Sequence, residues 1–138
     1  MSTVNQEVWV VTKGQGLYDI TSQVLSVVAQ AGLGDGLVTI FIRHTSASLL
    51  IQENADPAVQ RDLQVWLKRL VAEDDPLYTH VEEGADDMPA HIKSALTAVS
   101  LSVPLMSGEL VLGTWQGIYL WEHRHREHRR SVHVNVLG

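Results

Sequence analysis

Alternating apolar and polar positions divide most of the chain into predicted strands. Residues 4–12 are rich in β-branched and aromatic side chains and predict a first strand. Residues 37–52 are apolar except for a polar break at 43–46, so they predict two strands separated by a break or bulge. From Leu101 onward the pattern is typical of strands throughout, with four predicted at 101–106, 109–112, 116–122 and 131–137.

A short amphipathic helix is predicted after the first strand. The segment 13–16 contains two glycines and is typical of a turn. Asp19 and Thr21 are candidate N-caps for a helix over residues 22–31. Gly32 follows directly, which is the usual position of a C-terminal glycine stop.

A second helix begins where an acid precedes a proline. Asp56 is the predicted N-cap and Pro57 the first helical position, with the helix ending near Ala72. Apolar residues recur at helical spacing along this segment, so they are expected to form a buried face. That face consists of Leu63, Trp66, Leu67 and Leu70.

A third helix completes the pattern and suggests the fold class. It begins at Met88 or Pro89 and ends near Val99, with Asp86 or Asp87 close to its N-terminus. The helices lie between strands that later continue as a meander. This order favours the α+β class, with an antiparallel β-sandwich-like core and two to three helices packed against it. No repeat or linker interrupts the pattern, so residues 1–138 are expected to form a single domain.

Composition excludes several classes of function. Sixteen acidic against 10 basic residues give a net charge of −6, a poor balance for neutralising phosphates, so no nucleic-acid partner is expected. No apolar run is long enough to span a bilayer, so no membrane partner is expected. The absence of cysteine rules out disulfides, a thiolate nucleophile and Cys-type zinc, and makes the cytoplasm the expected location. Seven histidines in 138 residues direct attention to metal or acid–base chemistry.

The first polar segment, residues 44–57, interrupts two apolar strands. His44, Glu53 and Asn54 flank the ends of a buried strand, where a rigid scaffold presents polar groups. Hydroxyl groups that cap backbone atoms are an equally good interpretation of the same pattern. Ser46 and Ser48 lie close to His44 in sequence, but no GxSxG elbow is present, so serine hydrolysis is not favoured.

The second polar segment, residues 79–94, carries two histidines around four acids. His91 on the first turn of a helix, together with Asp86 and Asp87, suits a divalent cation bound through nitrogen and oxygen ligands. His80 stands at the other end of the acidic run. The spacing matches no zinc signature, and a solvated acidic surface is the alternative interpretation.

The third polar segment, residues 113–130, combines glycines, a tryptophan and a basic run. Trp115 and Gln116 stand between two glycines, which allow a partner to approach the backbone closely. A bulge with a core tryptophan is the alternative. Arg124 and Arg130 lie at strand edges and are candidates for anion binding, whereas residues 125–129 are more typical of a solvated hairpin end.

The three segments together resemble a known family. The strings HTSASLLIQENADP, EGADDMPAHIKSAL and GELVLGTWQGIYLWEHR resemble, in order and spacing, the YjbQ family, described as secondary thiamine-phosphate synthase enzymes. The resemblance implies a compact α+β sandwich that assembles as a homotrimer with a polar pocket near the subunit contacts. It also implies a weak secondary activity, the coupling of an aminopyrimidine diphosphate with a thiazole phosphate, beside an unsettled primary role.

The resemblance also indicates which side chains to examine. The polar positions of the family fall here on His44, Thr45, Ser46, Glu53, Asn54, Asp56, His80, Glu83, Asp86, Asp87, His91, Lys93, Trp115, Gln116, Glu122 and Arg124. Catalytic roles are expected for Glu53, Asp86, Asp87, Gln116 and Arg124. Metal ligation is expected for His44, His80 and His91. Substrate binding is expected for Ser46, Asn54, Lys93 and Trp115.

Two functions from different classes remain open. The first is a transferase of the thiamine-phosphate synthase type, in which a divalent metal neutralises the diphosphate leaving group. Because residues 73–87 are acidic while both substrates are anionic, this function depends on a bound cation. The second is a metal-binding protein or metal-dependent hydrolase with a His/Asp pocket for an unknown small anion. The expected cofactor is Zn or Mg, and the expected partners are a small phosphorylated metabolite and two further copies of the chain.

Overall fold

A computed structural model covers residues 1–138, and its eleven elements follow the predicted α+β order. The strands are β1 Thr3–Lys13, β2 Gly16–Asp19, β3 Gly36–Ile42, β4 Ala47–Glu53, β5 Ser100–Met106, β6 Glu109–Leu110, β7 Gln116–Glu122 and β8 Glu127–Leu137. The helices are α1 Thr21–Ala31, α2 Pro57–Leu70 and α3 Asp87–Leu96. None of the three helices is both long and apolar enough to cross a lipid bilayer.

Two antiparallel sheets form the body of the molecule. The larger has the strand order β1-β8-β3-β5-β6, and the smaller has the order β2-β7-β4. Inward-facing side chains from both sheets meet α1 in one apolar cluster, to which β8 contributes Val132, Val134 and Val136. Alternate residues of each strand therefore supply the core, as the period of two in the sequence predicts.

Helices α2 and α3 lie beside the smaller sheet. On α2, Gln60 Nε2 donates to the Tyr119 hydroxyl at 3.0 Å, and Gln64 Oε1 accepts from Trp121 Nε1 at 2.8 Å. On α3, Ser94 Oγ donates to the carbonyl of Ala47 at 3.2 Å. These contacts attach the two helices to β4 and β7, and they bring the N-terminal end of α3 to the end of the smaller sheet.

The predicted start of α2 and the predicted stop of α1 are confirmed, whereas the predicted N-cap of α1 is wrong. The Asp56 carboxylate accepts from the Ala58 backbone N–H at 2.9 Å, with Pro57 at the start of α2. At the end of α1, Gly32 has φ of 64°, the left-handed conformation that glycine adopts without a steric cost. At the start of α1 the N-cap position is Ile20. The Asp19 carboxylate, one residue before it, accepts from the Thr21 backbone N–H. Thr21 is therefore already helical and does not cap.

The prediction that Leu63, Trp66, Leu67 and Leu70 form a buried face of α2 is wrong for two of the four residues. Leu67 is buried and Leu63 is half-buried, but Trp66 is 51% exposed and Leu70 is 56% exposed. The face is apolar as the spacing indicates, but the smaller sheet is only three strands wide and covers one edge of it. Helical periodicity identifies an apolar face but does not say how much of it a neighbour covers.

Several predicted boundaries also differ from the structure. Strand β8 begins at Glu127, four residues before the predicted start, because its first residues pair with the end of β1. Strand β6 ends at Leu110, and α3 extends from Asp87 to Leu96. The sequence did not predict the short strand β2, which pairs with β7 over four residues. The glycines at 14 and 16 indicated a turn there instead.

Candidate metal centre

Three chain segments meet at one end of the smaller sheet. The loop between β3 and β4 carries residues 43–46, β7 leaves the sheet at residues 122–124, and the acidic loop 79–86 enters α3. Antiparallel pairing places Glu122 opposite Ala47, so the β3–β4 loop and the exit of β7 are neighbours. The first turn of α3 then adds its side chains to the same end.

Two imidazoles and one carboxylate converge at this place. Asp87 Oδ2 lies 2.6 Å from His80 Nε2 and 3.2 Å from His91 Nε2. The three potential ligand atoms all lie within 4.8 Å of one another. Asp87 and His91 are four residues apart on α3 and therefore share one helix face, while His80 comes from the preceding loop. The set offers two imidazole nitrogens and one carboxylate oxygen as potential ligands of a single ion.

Each group on α3 is oriented by a second partner. His91 Nδ1 lies 2.9 Å from the Thr45 carbonyl, which accepts its hydrogen and directs Nε2 toward Asp87. Arg124 Nη1 donates to Asp87 Oδ1 at 2.6 Å, which leaves Oδ2 facing the two imidazoles. Metal-binding histidines and carboxylates in proteins are usually held by outer partners of these kinds.

The electrostatics of the centre favour ionised carboxylates. Burial opposes the ionisation of Asp87, but the hydrogen bond from His80 and the positive charge of Arg124 outweigh burial and lower its pKa. Burial likewise opposes the charge on Asp86. The hydrogen bond from the His125 backbone N–H and the Arg124 guanidinium outweigh burial there too and lower the pKa of Asp86. Both acids are therefore anionic at neutral pH.

The centre opens to solvent on the side of the acidic loop. A cleft of about 400 Å³ is lined by Thr79, His80, Val81, Glu82 and Glu83. The Glu83 carboxylate lies 3.2 Å from His80 Nε2 and is exposed. The buried side of the centre is thus formed by α3, and the open side leaves room for a small molecule beside His80.

His44 lies apart from this group. Its Nε2 accepts from the Ser131 backbone N–H at 2.7 Å, and its Nδ1 lies 3.5 Å from Nη1 of Arg130. Burial, followed by the charge of Arg130, lowers the pKa of His44. The structure therefore brings together His80 and His91 of the predicted histidine set, and it places Asp87 where the sequence interpretation expects His44.

Both arginines selected from the sequence are held by carboxylates of the chain itself. Arg124 donates to Asp86 and Asp87 and, through Nη2, to the Glu83 carbonyl at 2.8 Å. Arg130 donates to Glu122 and to Ser46 Oγ. Their guanidinium groups hold the acidic loop and the β3–β4 loop in place. Ser46 belongs to this second network.

Lys93 differs from the two arginines. Its side chain is 1% exposed, and its ammonium makes no hydrogen bond or ion pair within the chain. It follows His91 by two residues and so lies about 200° around α3 from it, on the flank away from the metal centre. Burial lowers the pKa of Lys93.

The remaining predicted site residues lie at the opposite end of the smaller sheet. Glu53 pairs with Gln116 at the far ends of β4 and β7, six positions from Glu122, or about 20 Å along the strand. The Asn54 N–H donates to the Trp115 carbonyl, and the Trp115 ring is exposed, so the tryptophan is not part of the core. Gln116 Oε1 accepts from the Gly113 N–H at 2.7 Å and closes a turn. Within a single chain, these four residues are therefore far from the histidines.

The sequence analysis assigned no role to two buried polar side chains near the centre, Glu122 and His123. Glu122 is fully buried and accepts from Thr12, Arg130 and the backbone N–H groups of His123 and Arg124. His123 is buried with Nε2 2.9 Å from Ser48 Oγ, so the serine pairs with this histidine and not with His44. The alternation of β7 places Glu122 on the same buried face as Ile118 and Leu120. A glutamate is rarely fully buried, so the sequence alone did not indicate this position.

The fold and the site define a class of protein: a small α+β sandwich with a solvent-facing His/Asp centre at the end of one sheet. The model of the family described as "UPF0047 protein YjbQ-like" matches residues 6–138, and the chain belongs to this family.

Similar proteins support this membership. A UPF0047 protein of Synechocystis sp. is 53% identical over 135 residues, covering 97% of this chain and 92% of its own. The UPF0047 protein YjbQ of Escherichia coli O157:H7 is 43% identical over 127 residues, covering 91% of each chain. A crystal structure of a YbjQ-like protein of unknown function from Sulfolobus solfataricus superposes with a TM-score of 0.89 at 26% identity, covering 99% of this chain and 98% of its own. A crystal structure of an uncharacterized YjbQ/UPF0047-family protein from Clostridium acetobutylicum superposes with a TM-score of 0.88 at 37% identity. It covers 96% of this chain and 99% of its own.

Proposed function

We propose that the protein binds one divalent transition metal through His80, Asp87 and His91 and uses it on a small anionic metabolite. The observation that carries this proposal is that both nitrogens of His91 face acceptors, the Thr45 carbonyl and Asp87 Oδ2. A neutral imidazole has one hydrogen and satisfies only one of them. A cation held by the His91 imidazole and the Asp87 carboxylate would satisfy both groups without a second proton on the ring.

The donor set favours zinc or a similar metal over magnesium. Imidazole nitrogens suit Zn, Fe, Co and Ni, whereas magnesium prefers an all-oxygen shell. Three protein ligands leave at least one coordination position open, as in catalytic zinc sites. The cleft beside His80 lies on that open side. A metal held by these residues would supply Lewis-acid chemistry, either to an oxygen of the metabolite or to a water molecule.

Metal analysis of protein purified without a His tag tests the proposal. We expect about one metal per chain in the wild type. His80→Ala, Asp87→Asn and His91→Ala are expected to lose stoichiometric metal while they remain folded. His125→Ala and His128→Ala are expected to keep it, because those rings pair with Glu73 and with the Arg126 carbonyl.

His44→Ala separates the sequence-based ligand set from the structure-based one. The sequence-based set requires this variant to lose the metal. The geometry favours retention, with a destabilisation of about 1–3 kcal/mol from the unpaired Ser131 N–H. A wild-type protein without stoichiometric metal, or full occupancy in folded His80→Ala, Asp87→Asn and His91→Ala variants, would contradict the proposal.

The reaction that the family resemblance implies remains a second candidate. A bound cation would reconcile the acidic loop with two anionic substrates, since it supplies positive charge where the arginines are already neutralised. We therefore propose thiamine-phosphate synthase-type coupling as a weak activity of the metal-loaded protein. Coupling that is equally fast in wild type and Asp87→Asn would exclude a role for this centre.

We also propose that the chain forms a homotrimer. The outer face of the larger sheet carries no helix and exposes Trp9, Val11, Leu37 and Phe41. Polar side chains of β8 such as His133 and Asn135 lie between them, so the surface that we propose for association is mixed apolar and polar. Association of three copies would cover it and protect the free edge of β1.

A further inference from the structure

A second cleft lies between β2 and α2, away from the metal centre. Its volume is about 320 Å³, which is within the range of small-molecule pockets in proteins. None of its residues belongs to the three polar segments of the sequence, and none takes part in the proposed metal centre. The cleft is lined by Gly16, Leu17, Gln60, Arg61, Gln64 and Val65.

The two glutamines of this cleft direct their amide groups toward the smaller sheet. Gln60 Nε2 donates to the Tyr119 hydroxyl at 3.0 Å, and Gln64 Oε1 accepts from Trp121 Nε1 at 2.8 Å. Gln64 Nε2 also donates to Gln15 Oε1 at 3.4 Å. Because these polar groups are engaged behind the cleft, the surface that faces the cleft is almost entirely apolar.

Arg61 is the charged residue of the cleft, and its guanidinium has no partner in the chain. Arg43, Arg124 and Arg130 each pair with a carboxylate. Arg61 is exposed and makes no hydrogen bond or ion pair. Since the surface of the cleft is apolar, Arg61 contributes its methylene stem to the wall, and its charged end extends toward solvent at the mouth.

The interior of the cleft has space for an apolar group. Gly16 has φ of 148°, a conformation that favours glycine, and no atom of a neighbouring element lies within 4 Å of the place of a Cβ atom. Leu17 is half-buried, and Val65, on the opposite wall, is 54% exposed. The cleft therefore combines an apolar interior with one unpaired cation at its mouth.

We propose that this cleft binds a small amphiphilic oxyanion, with its apolar body between Leu17 and Val65 and its carboxylate or phosphate head on Arg61. The apolar walls offer no group that would hold a hydrated inorganic ion. The free guanidinium favours a negative head group over a neutral or positive one. The metal ligands lie on α3 and the loop before it, so this site does not depend on the proposed metal.

Titration of the nitrogen-labelled protein with hexanoate, followed by NMR, tests the site. We expect the indole N–H signal of Trp121 and the side-chain amide signals of Gln60 and Gln64 to shift, because these groups lie directly behind the cleft. Acetate has the same charge without the apolar body and should bind at least about tenfold more weakly. Hexyl phosphate changes only the head group. Tighter binding than hexanoate identifies a phosphate head, and weaker binding identifies a carboxylate head.

Arg61→Met tests the role of the charge, since methionine retains much of the apolar stem. Hexanoate should bind about fivefold more weakly to this variant, as expected for an exposed ion pair, whereas hexanol should bind equally to both proteins. Arg69→Met is the matched control, because it removes an exposed arginine of α2 that does not line the cleft. Equal hexanoate binding by wild type and Arg61→Met, the same loss in Arg69→Met, or unchanged Trp121 and glutamine signals would overturn the proposal.

Discussion

Glu122 connects more of the molecule than any other single side chain near the centre. Its carboxylate accepts from Thr12 on β1, from Arg130 on β8 and from the backbone where β7 ends. Burial opposes its ionisation, but the Arg130 hydrogen bond and charge outweigh burial, and its pKa is lowered. The carboxylate therefore joins both sheets at the end where the histidines lie.

Removing that charge is expected to be costly. Glu122→Gln leaves Arg130 buried without its counterion, and the free energy of unfolding should fall by about 3–5 kcal/mol. Urea denaturation measures this change. The double variant Glu122→Met with Arg130→Met should lose less than Glu122→Gln alone, because no isolated charge remains buried. A loss below 1 kcal/mol in Glu122→Gln would contradict this account.

His123 makes the stability of the protein depend on pH below neutrality. Its folded pKa of about 3 lies below the ordinary value of 6.5, so acid protonates the unfolded chain before the folded one. The contribution is fully present above pH 6.5 and is lost as the pH falls toward 3. Between pH 6.5 and pH 5 the loss is about 2 kcal/mol.

Comparison with a variant isolates this effect of His123. Urea unfolding of the wild type at pH 7 and pH 5 should show a larger difference in free energy than the same pair of measurements on His123→Gln. The glutamine does not titrate, and its amide can still bond Ser48. An identical pH dependence in both proteins would assign the effect to other groups, such as His44.

At the scale of elements, the pairing of β3 with β8 leaves no room for a side chain at Gly36. A Cβ atom there would overlap the Leu137 carbonyl oxygen, which belongs to the backbone and cannot rotate away. Gly34, two residues earlier, has open space around the same position. These two glycines therefore form a matched pair in one turn.

Substitution of these two glycines checks the register of the larger sheet. Gly36→Ala is expected to lower the free energy of unfolding by about 1–3 kcal/mol, because the end of β3 must move from β8. Gly34→Ala is expected to change it by less than about 0.5 kcal/mol. Both free energies are measured by urea denaturation. Equal losses of stability in the two variants would mean that the N-terminal end of β3 is not held against β8.

At the scale of the whole molecule, the exposed face of the larger sheet is expected to form the contacts between copies. Light scattering should give the mass of a trimer at micromolar concentration. Phe41→Glu places a charge in the middle of that face and should shift the mass toward the monomer. Trp66→Glu on α2 is the control and should leave the trimer intact. A stable wild-type monomer would exclude the trimer, and dissociation by Trp66→Glu alone would move the contact to α2.

The sequence by itself determined most of the elements, the start of α2 and the end of α1. Period-two and helical patterns, the Asp56–Pro57 start and the Gly32 stop depend on interactions within a few residues, so they are visible in the linear chain. The helical spacing also indicated that Asp87 and His91 lie together. Only the tertiary structure decided that the loop residue His80 joins them, that His44 accepts from Ser131, and that Glu122 pairs with Arg130. These partners are set by strand register and helix placement across up to 87 positions of sequence, where local pattern carries no information. The exposure of Trp66 has the same cause, since coverage of an apolar face depends on which element lies opposite it.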